Sequence, residues 1–238
     1  MNVFILKIVA LTTMIIDHIG AVIPEFFGFE PDAVNIFRVI GRVAFPIFVY
    51  LIAEGFRHTR NPAKYLARLG IFALISEIPY DLALIGNIDF FSETNIFFTL
   101  FLGGAAIVVF RRFRDESRAL YLIALIIPVL IFMMLAESLS ADYGAYGVLF
   151  IFLMYVIKNF KLRLFALILL CIYQHHMILS FIVSGHFAYI PVMYLMLLPA
   201  TLVPALLIAF YNGKRGANLK WFFYAAYPVH LIILFLIK

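Results

Sequence analysis

Residues Ala119–Ala136 read ALYLIALIIPVLIFMMLA, eighteen positions without a single charge. About 20 such residues in a helix cover the roughly 30 Å of a bilayer's hydrocarbon core. The run lacks the apolar–polar alternation of a barrel strand, and in lipid a helix satisfies every backbone group within itself. Its flanks differ in sign. Arg111, Arg112, Arg114 and Arg118 precede it, whereas Glu137 and Asp142 follow it. This one segment sets two expectations for the chain: apolar helices of membrane-crossing length, and loops whose charge alternates from side to side.

Runs of the same kind recur over approximately 3–23, 35–56, 64–86, 95–110, 144–158, 161–182, 190–211 and 220–237. With 119–137 they make nine. The expected architecture is all-α: a polytopic integral membrane protein of about nine transmembrane helices, forming one transmembrane domain over 1–238. Composition agrees. Of the 238 residues 66% are hydrophobic and 13% charged, and mean hydropathy is +1.07; soluble domains are nearer half apolar and a quarter charged. The first run carries Lys7, Asp17 and His18, and Pro24-Glu25 follows in place of a small-residue cleavage pattern, so it reads as a retained helix. The single cysteine, Cys171, lies within an apolar run and offers neither a disulfide framework nor a cysteine metal cluster. The runs at 95–110 and 144–158 are short for a crossing.

Basic residues gather in alternate loops: Arg57, Arg60 and Lys64; Arg111, Arg112, Arg114 and Arg118; Lys158, Lys161 and Arg163; Lys214, Arg215 and Lys220. The intervening loops have none, and hold Glu25, Glu30, Asp32, Asp89, Glu93, Glu137 and Asp142 instead. Thirteen against zero is a positive-inside pattern that places the N-terminus in the cytoplasm and the C-terminus outside. The net charge of +5 is thereby a topology signal and gives no reason to invoke nucleic acid.

Charges also fall inside the apolar runs or at their margins: Lys7, Asp17, Arg38, Arg42, Glu54, Arg68, Glu77 and Asp81. A charge at the bilayer centre costs roughly 2.5–3.5 kcal/mol, so eight unpaired would cost on the order of 20 kcal/mol as an upper bound. Four are positive and four negative, which points to pairing within the bundle. Arg38 and Arg42, Glu77 and Asp81, and Asn95 and Thr99 are each spaced i,i+4, so each pair shares a helix face. With Asp17 and His18 they suggest a polar cavity opening outward. Glu54, Arg57, His58, Arg60, Lys64 and Arg68 form a second group at the inner face, where Lys7 also enters. Lys7 and His18 are eleven residues apart, on one helix face and roughly 16 Å apart along the axis. His175 and His176 lie in the outer half of the seventh run, and Tyr227 and His230 are i,i+3 neighbours in the last. No metal-ligand spacing is present, so no metal is expected.

The segments Met14-Ile-Ile-Asp17-His18-Ile-Gly20, Phe37-Arg38-Val-Ile-Gly41-Arg42-Val-Ala-Phe45-Pro46 and Glu54-Gly55-Phe-Arg57-His58-Thr59-Arg60-Asn61 resemble the TraX family. So do Ser76-Glu77-Ile-Pro79-Tyr80-Asp81, Tyr211-Asn212-Gly213-Lys214-Arg215-Gly216 and Phe223-Tyr224-Ala-Ala-Tyr227-Pro228-Val-His230-Leu231. The resemblance spans nearly the whole chain. It implies a membrane protein of the kind that acetylates pilin in conjugation, in a bacterial cytoplasmic membrane. More remotely it is similar to transmembrane acyltransferases such as heparan-α-glucosaminide N-acetyltransferase. Acetyl-CoA is then the expected donor, and the expected acceptor is an amine or hydroxyl outside the membrane, on a pilin-like protein, a peptide or a glycan.

On that resemblance His18 is a candidate general base, beside the bland alternative of a packed helix histidine. Asp17 tunes it or pairs with Arg38 or Arg42. Arg38 and Arg42 stabilise an oxyanion or pair with Glu77 and Asp81. Lys7, Arg57, His58, Arg60, Lys64 and Arg68 are candidate contacts for CoA phosphates, against a purely topological role. The 16 Å between Lys7 and His18, by the helix rise, is about the reach of a pantetheine arm. Glu77, Asp81, Asn95, His175, His176 and Tyr227 are the candidate acceptor cavity. A small-solute or proton-coupled transporter, and a non-catalytic component of a conjugation or secretion assembly, stand as the other readings.

Overall fold

The computed structural model describes residues 1–89, 92–174 and 202–238. His175, His176 and most of the eighth expected span lie outside the described residues. Among those described, the elements are helical: α1 (Val3–Val22), α2 (Pro31–Gly41), α3 (Ala44–His58), α4 (Pro62–Tyr80), α5 (Ile96–Phe113), α6 (Arg118–Ser138), α7 (Gly144–Val156), α8 (Phe160–Gln174) and α9 (Lys220–Ile237). A further helical stretch covers 202–209.

Several ends are set by local chemistry. Asn2, Asn61, Asn95 and Ser117 cap α1, α4, α5 and α6, each side chain accepting a backbone N–H of the first turn. Pro31 and Pro62 occupy first-turn positions, where no backbone donor is lost. The expected span 35–56 falls within one segment of crossing length, Ala33–His58, with a local irregularity. α2 ends at Gly41 and α3 begins at Ala44, where Pro46 has no N–H to donate to the carbonyl of Arg42. Pro79 likewise precedes a change of winding, as α4 gives way to a π-turn over Asp81–Ile85.

Among the described residues five segments are long and apolar enough to cross a membrane: Val3–Val22, Ala33–His58, Ile96–Phe113, Arg118–Ser138 and Lys220–Ile237. The chain is thus a multi-pass, all-helical membrane protein. α5, expected to be short, has 18 residues. α7 is indeed short at 13 residues, about 20 Å at 1.5 Å per residue. α6 turns Ile123, Ile127, Leu130 and Met134 outward, with Met134 74% exposed. So large an apolar face suits lipid and would be a liability in water.

The chain divides into two compact units. The first comprises Met1–Phe48, Asn159–Ala226 and Ile233–Lys238; the second, Val49–Lys158 and Tyr227–Ile232. In the first, α1 packs on α2. In the second, α5 packs against α4, α6 and α7. A side chain at Gly103 would meet Ile151, and one at Gly104 would meet Phe56, so these small residues let α5 approach its neighbours closely.

Candidate functional site

In the first unit α1 is one unbroken helix, so Lys7 and His18 share its face as their spacing requires. Near its C-terminal end the Asp17 carboxylate receives the Arg38 guanidinium at 2.5 Å, from α2. The pair is partly withdrawn from solvent, with side chains 15% and 35% exposed respectively. Of the alternatives open in the sequence, Arg38 therefore takes Asp17 rather than Glu77 or Asp81 as its carboxylate. Gly41 makes this possible, because a Cβ there would overlap the Asp17 side chain. The second Asp17 oxygen is buried without a hydrogen-bond donor, and Arg42 lies within electrostatic reach of the same carboxylate. His18, next along the helix, is half-buried.

At the other end of α1, Val3 and Phe4 donate their backbone N–H groups to the carbonyls of Lys214 and Arg215, at 2.9 and 3.2 Å. These bonds hold the 214–216 segment against the start of the helix. The Lys7 ammonium sits 5.0 Å from the centre of the Phe223 ring, a favourable cation–π placement. Lys7, Arg215, Asn218, Lys220 and Phe223 line a common cavity of about 40 Å³. In the sequence Arg215 and Lys220 served as topology signals, with Arg215 also in a family motif, and nothing there joined them to Lys7.

In the second unit the inner-face cluster has a different character. Glu54 is buried, with Arg57 at 3.6 Å and His58 at 3.4 Å. The Nη2 of Arg57 donates to the carbonyls of Met154, Tyr155 and Ile157, at 2.8, 2.5 and 2.7 Å. A cation there satisfies the carbonyls that end α7 and opposes its dipole. Arg57 thus ties the C-terminal end of α3 to the carbonyls at the end of α7. Arg60 and Lys64 are exposed, and Arg68 lies over the Tyr65 ring at 5.5 Å.

Glu77, Asp81 and Asn95 are deeply buried. Glu77 Oε2 accepts from the Asn95 backbone N–H at 3.1 Å and from its Nδ2 at 2.5 Å, while Nδ2 also donates to Ala73 O at 2.8 Å. This ties the end of α4 to the start of α5. Asp81 Oδ2 accepts from the Asp89 backbone at 2.9 Å. The other oxygens of Glu77 and Asp81, and the Ser76 hydroxyl, are buried without hydrogen-bond partners. Tyr227 is buried with its ring edge-on to Phe97, at 5.3 Å, and to His230, at 5.5 Å. A cavity of about 450 Å³ in this unit is lined instead by Tyr80, Glu93, Glu137, Asp142 and Tyr143 among others. Glu77, Asp81, Asn95 and Tyr227 do not line it. Its carboxylates give it an acidic lining, which favours cations over anions. Among the described residues no three His, Cys, Asp or Glu side chains converge as metal ligands.

Comparison with known proteins gives one family and one curated relative of note. The family model described as TraX protein matches residues 3–238. The "Probable fimbrial assembly protein FimC, serogroup H1" of Dichelobacter nodosus is 31% identical over 244 residues, covering 98% of this chain and 94% of that protein. No solved structure matches.

Proposed function

The chain belongs to the TraX protein family, and from that membership and the layout of α1 we propose that it is a transmembrane acetyltransferase. In this reading nine crossings place the N-terminus in the cytoplasm, as the basic loops suggest. Cytoplasmic acetyl-CoA is the donor, and an amine or hydroxyl outside the membrane is the acceptor. One observation carries it. A single uninterrupted helix holds Lys7 in a basic cavity at one end and half-buried His18 at the other. The two are roughly 16 Å apart on one face, enough for a pantetheine arm between a held phosphate and a reacting thioester.

The chemistry assigned to the chain is acyl transfer. His18 takes a proton from the acceptor nitrogen or oxygen as that atom attacks the thioester carbonyl. The tetrahedral intermediate collapses with cleavage of the C–S bond, and the CoA sulfur leaves with the proton. Arg38 is engaged by Asp17, so stabilising the oxyanion falls to Arg42. Asp17 and Arg38 position this end of the helix.

The test is acetyl transfer by purified protein together with mass spectrometry of envelope proteins and glycans in cells with and without it. His18→Ala is expected to lower transfer by about 10² or more at similar folded yield. Normal turnover in His18→Ala assigns the base elsewhere. The curated relative's name favours a second reading, a non-catalytic membrane component of fimbrial assembly. It gains if fimbriae are lost on deletion while no acetylated species disappears and His18→Ala restores assembly in full.

A further inference from the structure

The cavity at the start of α1 has a composition that its role as a loop anchor does not explain. Three cations, Lys7, Arg215 and Lys220, line about 40 Å³ between them. Among the described residues none of the three has a carboxylate within 4.0 Å. Their neighbours are neutral: Lys7 faces the Phe223 ring, Lys220 the Trp221 ring at 5.0 Å, and Arg215 the Asn218 side-chain oxygen at 3.0 Å. The first turns of α1 and α9 contain no acidic residue, and α9 starts without a side-chain cap. The positive end of α9 therefore adds to three positive side chains, whereas the first N–H groups of α1 are already bonded to Lys214 O, Arg215 O and Asn2 Oδ1.

The backbone enforces this crowding. The bonds from Val3 and Phe4 fix Lys214 and Arg215 on α1. Gly216 holds a φ of +71°, and a side chain there would run into Asn2 and Phe4. Like charges held together by main-chain geometry repel one another until an anion joins them. The walls supplied by Val3, Phe4, Leu219 and Phe223 are apolar, which strengthens the field on whatever enters.

We propose that Lys7, Arg215 and Lys220 form a phosphate-binding site. The cavity is too small for a nucleobase but open to a phosphate carried on a larger molecule. Two molecules present that chemistry at a cytoplasmic membrane face: CoA and an anionic lipid. Assignment to CoA rests on the acetyltransferase reading, whereas the phosphate site itself does not. The site moves the expected donor grip away from Arg57, and it enlists two residues more than two hundred positions from Lys7.

The experiment uses the full chain, wild type and with Lys7→Gln, Arg215→Gln or Lys220→Gln. Lys220→Arg serves as the conservative variant and Arg112→Gln, an exposed cation paired with Glu116, as the control. CoA affinity is measured by titration in neutral detergent, and retained phosphatidylglycerol is counted by native mass spectrometry. Each cavity variant is expected to weaken CoA binding by about tenfold or more, the scale of one charge-assisted contact. Lys220→Arg stays within about threefold of wild type because charge and reach are kept, and Arg112→Gln does not differ. If CoA affinity holds in the cavity variants, or the wild type binds no CoA, while retained phosphatidylglycerol falls, the phosphate site stands and its owner is a lipid. In the second of those cases the acetyltransferase reading falls on its own. If neither probe distinguishes the cavity variants from the control, the site is overturned.

Discussion

Asn95 offers a sharp test of how the second unit is held together. Its side chain is wholly buried and makes three contacts: it accepts from Phe97 N at 3.0 Å, and donates to Ala73 O at 2.8 Å and to Glu77 Oε2 at 2.5 Å. Asn95→Ala removes all three. Loss of a helix cap costs about 1 kcal/mol. Loss of a hydrogen bond to a charged group costs about 1.5–3 kcal/mol, and of a neutral one about 1 kcal/mol. The sum is about 3.5–5 kcal/mol, and the charged bond decides it, because Glu77 is left buried with one backbone donor. If the site behaves like average interhelical hydrogen bonds in a membrane protein, each worth about 0.6 kcal/mol, the loss is nearer 2 kcal/mol. Equilibrium unfolding in mixed detergent separates the two. A double-mutant cycle with Glu77→Ala then isolates the shared bond, with an expected coupling of about 1.5–3 kcal/mol. A coupling below about 0.5 kcal/mol would refute the reasoning, because removing Asn95 would then not matter to Glu77.

Arg57→Met should cost about 3 kcal/mol of stability, since the carbonyls of Met154, Tyr155 and Ile157 lose their donor and Glu54 a partner. CoA affinity should fall no further than about twofold, a difference of only a few tenths of a kcal/mol; a selective loss of CoA binding in a well-folded variant would return Arg57 to the donor site. Cysteines introduced near residues 60, 115, 160 and 215 should react only with membrane-permeant reagents in intact cells. Labelling of any of them from outside would overturn the orientation, and with it the direction of transfer.

The sequence by itself determined everything that depends on neighbours a few residues apart. Apolar runs of membrane-crossing length gave helices because lipid leaves the backbone no other partner. The caps at Asn2, Asn61, Asn95 and Ser117 act within their own first turns. Lys7 and His18 share a face because α1 is regular throughout. The turn at Arg42–Val43 was also within reach, since Pro46 marks it, but the apolar run around it hides the signal. What the charges do was left to the tertiary structure. Arg38 had several carboxylates of equal promise, and the close approach that Gly41 allows gave it Asp17. Arg57 was one basic residue among many until the end of α7, about a hundred residues on, arrived beneath it. Lys7 became part of a cluster only when the 214–220 segment bonded to the first turn of α1. Periodicity records which face a side chain leaves its helix from. Which distant group meets it there is fixed by helix packing, and no local pattern encodes that.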